Sequence, residues 1–157
     1  MSGGKRKTIT NYLVIGILFF DQLTKYIISK KIPLGESIPI IKNIFHLTYI
    51  LNRGAAFGIF KNQAHFFIIV SVVAITIILI LLRCKRTLGR QIALSLILSG
   101  ATGNLIDRIR LEAVIDFLDF RIWPVFNIAD SAITIGAELL AYSVLFKKTE
   151  GSIKVHR

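Results

Sequence analysis

The chain has 157 residues, is 54% apolar and carries a formal net charge of +11, with a mean hydropathy of +0.65; this is too apolar for an ordinary soluble domain and reads as one integral-membrane domain over 1–157. Its 20 Lys and Arg residues are dispersed between long apolar runs, so membrane topology and not nucleic acid accounts for the charge. One cysteine, Cys84, excludes an intramolecular disulfide, and three scattered histidines (His46, His65, His156) do not make a zinc site.

Lys5-Arg6-Lys7 ahead of an apolar stretch has the outline of a signal peptide. No small-residue cleavage site follows, and Asp21 and Lys25 interrupt the run, so a retained first span is predicted at about 11–29. Asp21 and Lys25 stand four apart on one helix face, where opposite charges can pair and so tolerate membrane depth. The segment from about 30 to 63 has β character: Pro33, Gly35 and Pro39 punctuate it, and Ile44 to Ile50 reads as a strand. Near its end, Asn52-Arg53-Gly54-Ala55-Ala56-Phe57-Gly58 sets small residues beside Asn and Arg. Either this is a tight turn with an interfacial Arg, or Asn52 bonds an extended peptide and Arg53 a lipid phosphate.

The second span, Ala64 to Leu82, holds no formal charge. The third, Gln91 to about Asp107, is marginal in length, and its polar end (Gly103, Asn104, Asp107, Arg108) calls for a protein-lined pocket. Asn104 and Asp107 share a helix face; Asp107 and Arg108 either join a buried network or close the helix end as a salt bridge. The fourth span covers Ile128 to Phe146. Nineteen residues rise about 28 Å, close to the thickness of a hydrocarbon core. The expected fold is therefore an all-α membrane protein, a four-transmembrane-helix bundle with a small extracytoplasmic β element. Eleven Lys and Arg residues flank the N-terminus, the loop after span two and the tail, against seven in the two longer loops, which puts both termini in the cytoplasm.

Five of the nine acidic residues (Asp107, Glu112, Asp116, Asp119, Asp130) fall in one region facing outward on that topology. Asp116 and Asp130 each adjoin membrane-grade apolar sequence, and Asn127 is a candidate cap for the helix that carries Asp130. Two carboxyls brought together share one proton; one can then activate water while the other acts as acid. The plainer reading makes Asp130 part of a helix cap and Asp116 a solvated loop acid, and nothing in the linear order forces the two to meet. Asp119 and Glu112 read as solvated loop acids, and Glu138, about 80° round the helix from Asp130, is given no role.

In chain order, Phe20-Asp21-Gln22-x-Thr24-Lys25, Asn52-x-Gly54-Ala55-Ala56-Phe57, Gly103-Asn104-x-x-Asp107-Arg108, Val114-x-Asp116-Phe117 and Phe126-Asn127-x-Ala129-Asp130-Ser131 together resemble the prolipoprotein signal peptidase family, signal peptidase II. The resemblance implies an aspartyl endopeptidase that removes signal peptides from diacylglyceryl-modified prolipoproteins, cutting before the lipidated cysteine, at the outer face of the bacterial cytoplasmic membrane. It implies a catalytic pair at Asp116 and Asp130, with Asp107 supporting the site. Asn52, Gly54, Asn104, Arg108, Asn127 and Ala129 would shape the pocket or hold substrate, and Asp21 and Lys25 would serve structurally. No metal or cofactor is expected, the partners are the prolipoprotein and membrane lipid, the chain acts as a monomer, and globomycin is the expected blocker. The interval between Asp116 and Asp130 is shorter than in some members of that family, and Glu138 stands where an apolar residue is expected. A reading from another class is a proton-coupled transporter subunit with a relay through Asp21, Asp107, Asp130 and Glu138, but these acids cluster at one face and no inverted repeat is visible. A silent scaffold leaves the concentration of Asp, Asn and Arg unexplained.

Overall fold

A computed structural model describes residues 3–54, 63–84 and 87–145, with residues 3–7 described by their backbone alone. Ala55, Ala56 and Phe57 of the loop motif, Lys61, Lys85, Arg86 and everything from Phe146 onward lie outside the described residues. Four helices are long and apolar enough to cross a membrane: α1 (Gly3–Lys31), α2 (Ala64–Arg83), α3 (Leu88–Leu111) and α4 (Ile128–Leu145). The third span is not marginal. It runs 24 residues, about a turn beyond each expected end, because Asp107 is neutralised inside the protein and so does not mark a boundary with water.

α3 is the hub, packing against α1, α2 and α4. Lipid supplies no hydrophobic drive between helices, so close packing must come from small residues. The α3–α4 seam supplies them, with Ala93, Gly100, Ala129, Ala132 and Gly136 all buried. A Cβ at Gly100 would run into the Ala129 carbonyl oxygen, and one at Gly136 would lie 2.7 Å from that of Ala93.

Three antiparallel strands, β1 (Ser37–Ile41), β2 (Phe45–Asn52) and β3 (Val114–Asp119), form one sheet in the order β1-β2-β3. The strand expected at 44–50 is β2; β1 and β3 are strands beyond that expectation. The register sets Asn52 opposite Val114 and Ile50 opposite Asp116. Ile28 and Ile32 at the end of α1 pack on Phe117, with Leu47 and Tyr49 around them, which seats the sheet on the bundle. Glu112 in the left-handed conformation (φ 54) closes α3 and turns the chain into β3. Beyond β3 the chain folds back: Phe117 and Leu118 N–H both donate to the Phe126 carbonyl, and Phe126 N–H returns a bond to Leu118. This return starts α4 beside β3.

Asp119 is not a solvated loop acid. It is buried at the end of β3, accepts from Thr48 Oγ1 at 2.7 Å and from Arg121, and anchors the turn that follows. Burial alone would raise its carboxyl, but the bonds from Thr48 and Arg121 outweigh it and hold the group below the usual carboxylate range. Glu112 is exposed as expected.

Gly100→Ala is expected to lower stability by about 1–3 kcal/mol through overpacking, outweighing the roughly 1 kcal/mol that alanine gains in helix propensity. Thermal unfolding in detergent measures it; an unchanged or raised midpoint would mean that α3 and α4 do not close this tightly.

Candidate active site

Asp116 stands in the middle of β3, and Asp130 in the first turn of α4. The return through Phe126 brings both to a cavity of about 1200 Å³ whose lining also includes Asn52, Arg53, Gly54, Asn104 and Arg108. The rest of its wall is mostly apolar, from Ile122, Val125, Ile133 and their neighbours. A few polar groups thus stand in an otherwise apolar chamber.

One side chain links the two carboxyls. Asn127 is the N-cap of α4: its Oδ1 accepts from Asp130 N–H at 2.8 Å. Its Nδ2 donates to Asp116 Oδ1 at 2.6 Å and to the Ile115 carbonyl at 3.2 Å. The other oxygen of Asp116 accepts from Asn52 Nδ2 at 2.9 Å, while Asn52 Oδ1 accepts from Gly54 N–H. Asp130 Oδ1 accepts from Asn104 Nδ2 at 2.7 Å. Burial, then the neighbouring charge of Asp130, pushes the Asp116 carboxyl up to about 7, against the bonds from Asn52 and Asn127 and the attraction of Lys25.

Behind this layer sits Lys25, 1% exposed. Its Nζ lies 2.9 Å from Asp21 Oδ2, 2.9 Å from Asp107 Oδ2 and 3.0 Å from Asn104 Oδ1. Both carboxylates then reach forward. Asp21 Oδ1 accepts from Ala129 N–H at 2.9 Å, and Asp107 Oδ2 from Ile115 N–H at 3.2 Å. Each therefore holds the N–H of the residue immediately before one of the two cavity aspartates. A Cβ at Gly103 would come within 2.5 Å of Asp21 Oδ2, so only glycine leaves room for that carboxylate.

Every expected site residue is found at this constellation or its rim. Asp21 and Lys25 pair as expected. Asp107 takes Lys25 as its partner, and Arg108 instead sets its guanidinium 5.2 Å from the centre of the Phe67 ring while lining the cavity. Arg53 is exposed at the mouth, Gly54 is buried, and Ala129 contributes its N–H. Gln22 joins the network without being among the expected site residues: its Nε2 donates to Asp107 Oδ1 at 3.1 Å and to the Gly103 carbonyl at 3.2 Å, and its place in the first motif, next to Asp21, is the sequence signal for it. Glu138 faces outward from α4, away from this network.

Four membrane-spanning helices, and a cavity between α3, α4 and the sheet that carries two carboxyls, define a multi-pass membrane enzyme of the aspartic type. The profile of the signal peptidase (SPase) II family matches residues 13–146, and the chain belongs to that family, proteases that remove the signal peptides of prolipoproteins. It is 51% identical over 129 residues to the lipoprotein signal peptidase of Halothermothrix orenii, covering 82% of this chain and 89% of that one. To the lipoprotein signal peptidase of Caldanaerobacter subterraneus it is 48% identical over 138 residues, covering 86% and 94%. The fold is similar to that of a bacterial membrane enzyme solved by the in meso method, with a TM-score of 0.85 at 34% identity, covering 96% of this chain and 93% of the other.

Lys25→Met strands two buried carboxylates and is expected to cost about 3–5 kcal/mol. The pair Asp21→Asn and Lys25→Met together should lose less than the sum of the two single losses. Unfolding of the four-member cycle in detergent measures the coupling, and additive losses would contradict a shared ion cluster.

Proposed function

We propose that Asp116 and Asp130 are the catalytic pair with which this protease cuts a diacylglyceryl-modified prolipoprotein before its lipidated cysteine. The observation that carries the reading is the Asn127 amide, bound at once to the Asp116 carboxylate and to the Asp130 backbone on the wall of one cavity. The pair holds a single proton. The ionised carboxyl takes a proton from water as the water oxygen attacks the scissile carbonyl carbon, and the protonated carboxyl gives its proton to the carbonyl oxygen. As the tetrahedral adduct collapses, one of its hydroxyls returns a proton to the carboxyl that gave it, the C–N bond breaks, and the amine of the cysteine leaves with the proton taken from water, so the pair again holds one proton.

Asn52, Asn104 and Asn127 supply N–H donors that hold the aspartates still through this exchange, and a fixed scissile bond contributes much of the rate. Arg108, Arg53 and Gly54 at the cavity and its mouth would hold substrate, with the acyl chains against the apolar walls. Lys25, Asp21, Asp107 and Ala129 support from behind. The whole of 1–157 acts as one peptidase domain and as a monomer, with both termini cytoplasmic and the sheet and cavity at the outer face; the Lys and Arg distribution supports that orientation. The relay reading loses its support, because Asp21 and Asp107 are both paired with Lys25 and Glu138 points away.

Asp116→Asn and Asp130→Asn should each lower cleavage of a diacylglyceryl lipopeptide by at least about 10²–10⁴-fold while leaving the protein folded. Activity surviving in either variant would remove that residue from the pair. Because a raised Asp116 keeps its proton up to about pH 7, kcat/KM should fall as the pH rises through that region and the shared proton is lost. Asn52→Leu removes a bond that favours the ionised form, so it should raise the pKa and move this alkaline limb upward. A limb that stays put or moves down would count against Asp116 as the group that titrates.

A further inference from the structure

We infer that Thr134 donates a hydrogen bond to a carbonyl oxygen of the bound substrate and so sets how tightly substrate is held. The inference rests on the site assignment above and extends it to a residue the five motifs leave out. Thr134 lies four residues past Asp130 on α4, hence on the same helix face and about 5–6 Å further into the membrane. It lines the cavity between Ile133 and Ile135, which line it too.

Its hydroxyl is set apart by what it does not do. Threonines within the spans usually return their hydroxyl to the carbonyl a turn earlier: Thr24 to Phe20, Thr76 to Val72 and Thr102 to Leu98, at 2.7–2.8 Å. Thr134 does not make that bond to the Asp130 carbonyl, and among the described residues its hydroxyl has no hydrogen-bond partner. Thr134 is exposed to the cavity, where water can serve its hydroxyl; the same hydroxyl against apolar walls with water displaced would be costly. Once a lipid-bearing substrate fills the cavity and displaces water, the partner must come from that substrate.

An acceptor is required within a helical turn of the scissile bond on its membrane side. Two groups of a diacylglyceryl prolipoprotein meet that demand: the ester carbonyls of the glyceryl lipid and a backbone carbonyl of the signal peptide. They share one chemistry, a carbonyl oxygen, and differ in that only the first is lost when ester links are replaced by ethers.

The test compares wild type, Thr134→Val and Thr134→Ser, with matched unfolding midpoints, on a diacyl lipopeptide and on its dialkyl ether analogue. On the diacyl substrate, valine should raise KM roughly five- to tenfold, the worth of one neutral hydrogen bond, with kcat nearly unchanged, and serine should keep the wild-type KM. A valine effect confined to the diacyl substrate assigns the bond to the ester; an equal effect on both assigns it to the peptide. An unchanged KM, a loss in kcat alone, or a serine variant as impaired as valine would overturn the inference. If wild type cleaves both substrates and loses that activity in Asp130→Asn, such a result removes the role of Thr134 alone. Failure of folded wild type to cleave either substrate removes the site assignment and this inference together.

Discussion

The buried ammonium of Lys25 is the interaction on which the remainder of the structure depends. A lysine at membrane depth is tolerated only when its charge is met. Here it is met by Asp21 from its own helix and Asp107 from α3, each at 2.9 Å. Meeting the charge welds α1 to α3, yet the more consequential result lies one bond further out. The two carboxylates spend their remaining capacity on Ala129 N–H and Ile115 N–H, and so fix the chain just ahead of Asp130 and Asp116. A single cation thereby ties together the positions of two aspartates that sit on different elements.

The Asp21 contact also answers a problem that α4 would otherwise have. The first N–H groups of a helix have no partner within it, and at a membrane interface packed with apolar side chains water cannot serve them all. Asp21 takes the N–H of Ala129 and Asn127 takes that of Asp130. A carboxylate is favoured there by the positive end of the helix dipole. Reaching that point requires α1, α3 and α4 to close on one another, which is why Gly100, Gly103 and Ala129 are small. Packing and electrostatics are one constraint here: a side chain at Gly103 would occupy the space of the Asp21 carboxylate itself.

Much of this was legible in the sequence because hydrocarbon imposes length and apolarity on a span, and four such stretches stand out. Asp, Asn and Lys beside such stretches stand out for the complementary reason, but only the family resemblance joins them into one site, since nothing in the linear order forces Asp116 and Asp130 to meet. What the sequence concealed follows from the same features. The sequence understates span three because Asp107 and Arg108 look like an exit into water, whereas Lys25, 82 residues earlier in the chain, makes Asp107 an interior group. β3 carries no alternation of apolar and polar residues, for it is buried on both faces apart from half-buried Leu118, and its two aspartates imitate a loop. β1 contains Pro39, which argues against a strand unless the strand is an edge; β1 is an edge, and its register is irregular between Pro39 and Ile41. Asp119 looked solvated because Thr48, its partner, is 71 residues away.

The division of labour within the cavity follows from this architecture. The aspartates are held by donors that are themselves held, from Lys25 through Asn104 and from the α4 cap through Asn127, so the polar wall has little freedom to adapt to different substrates. The opposite walls are apolar side chains, which discriminate weakly between chains of similar bulk. On the proposed reading, then, chemistry is confined to the rigid side, and the apolar side accepts whatever lipid-bearing segment fits. Discrimination among substrates has to come from the few polar groups that face the apolar side without being committed to the aspartates. Arg53 at the mouth meets that description, and on the inference drawn for Thr134 so does that hydroxyl one turn deeper, where the bound segment is nearest to hydrocarbon and an unpaired hydroxyl has the largest effect.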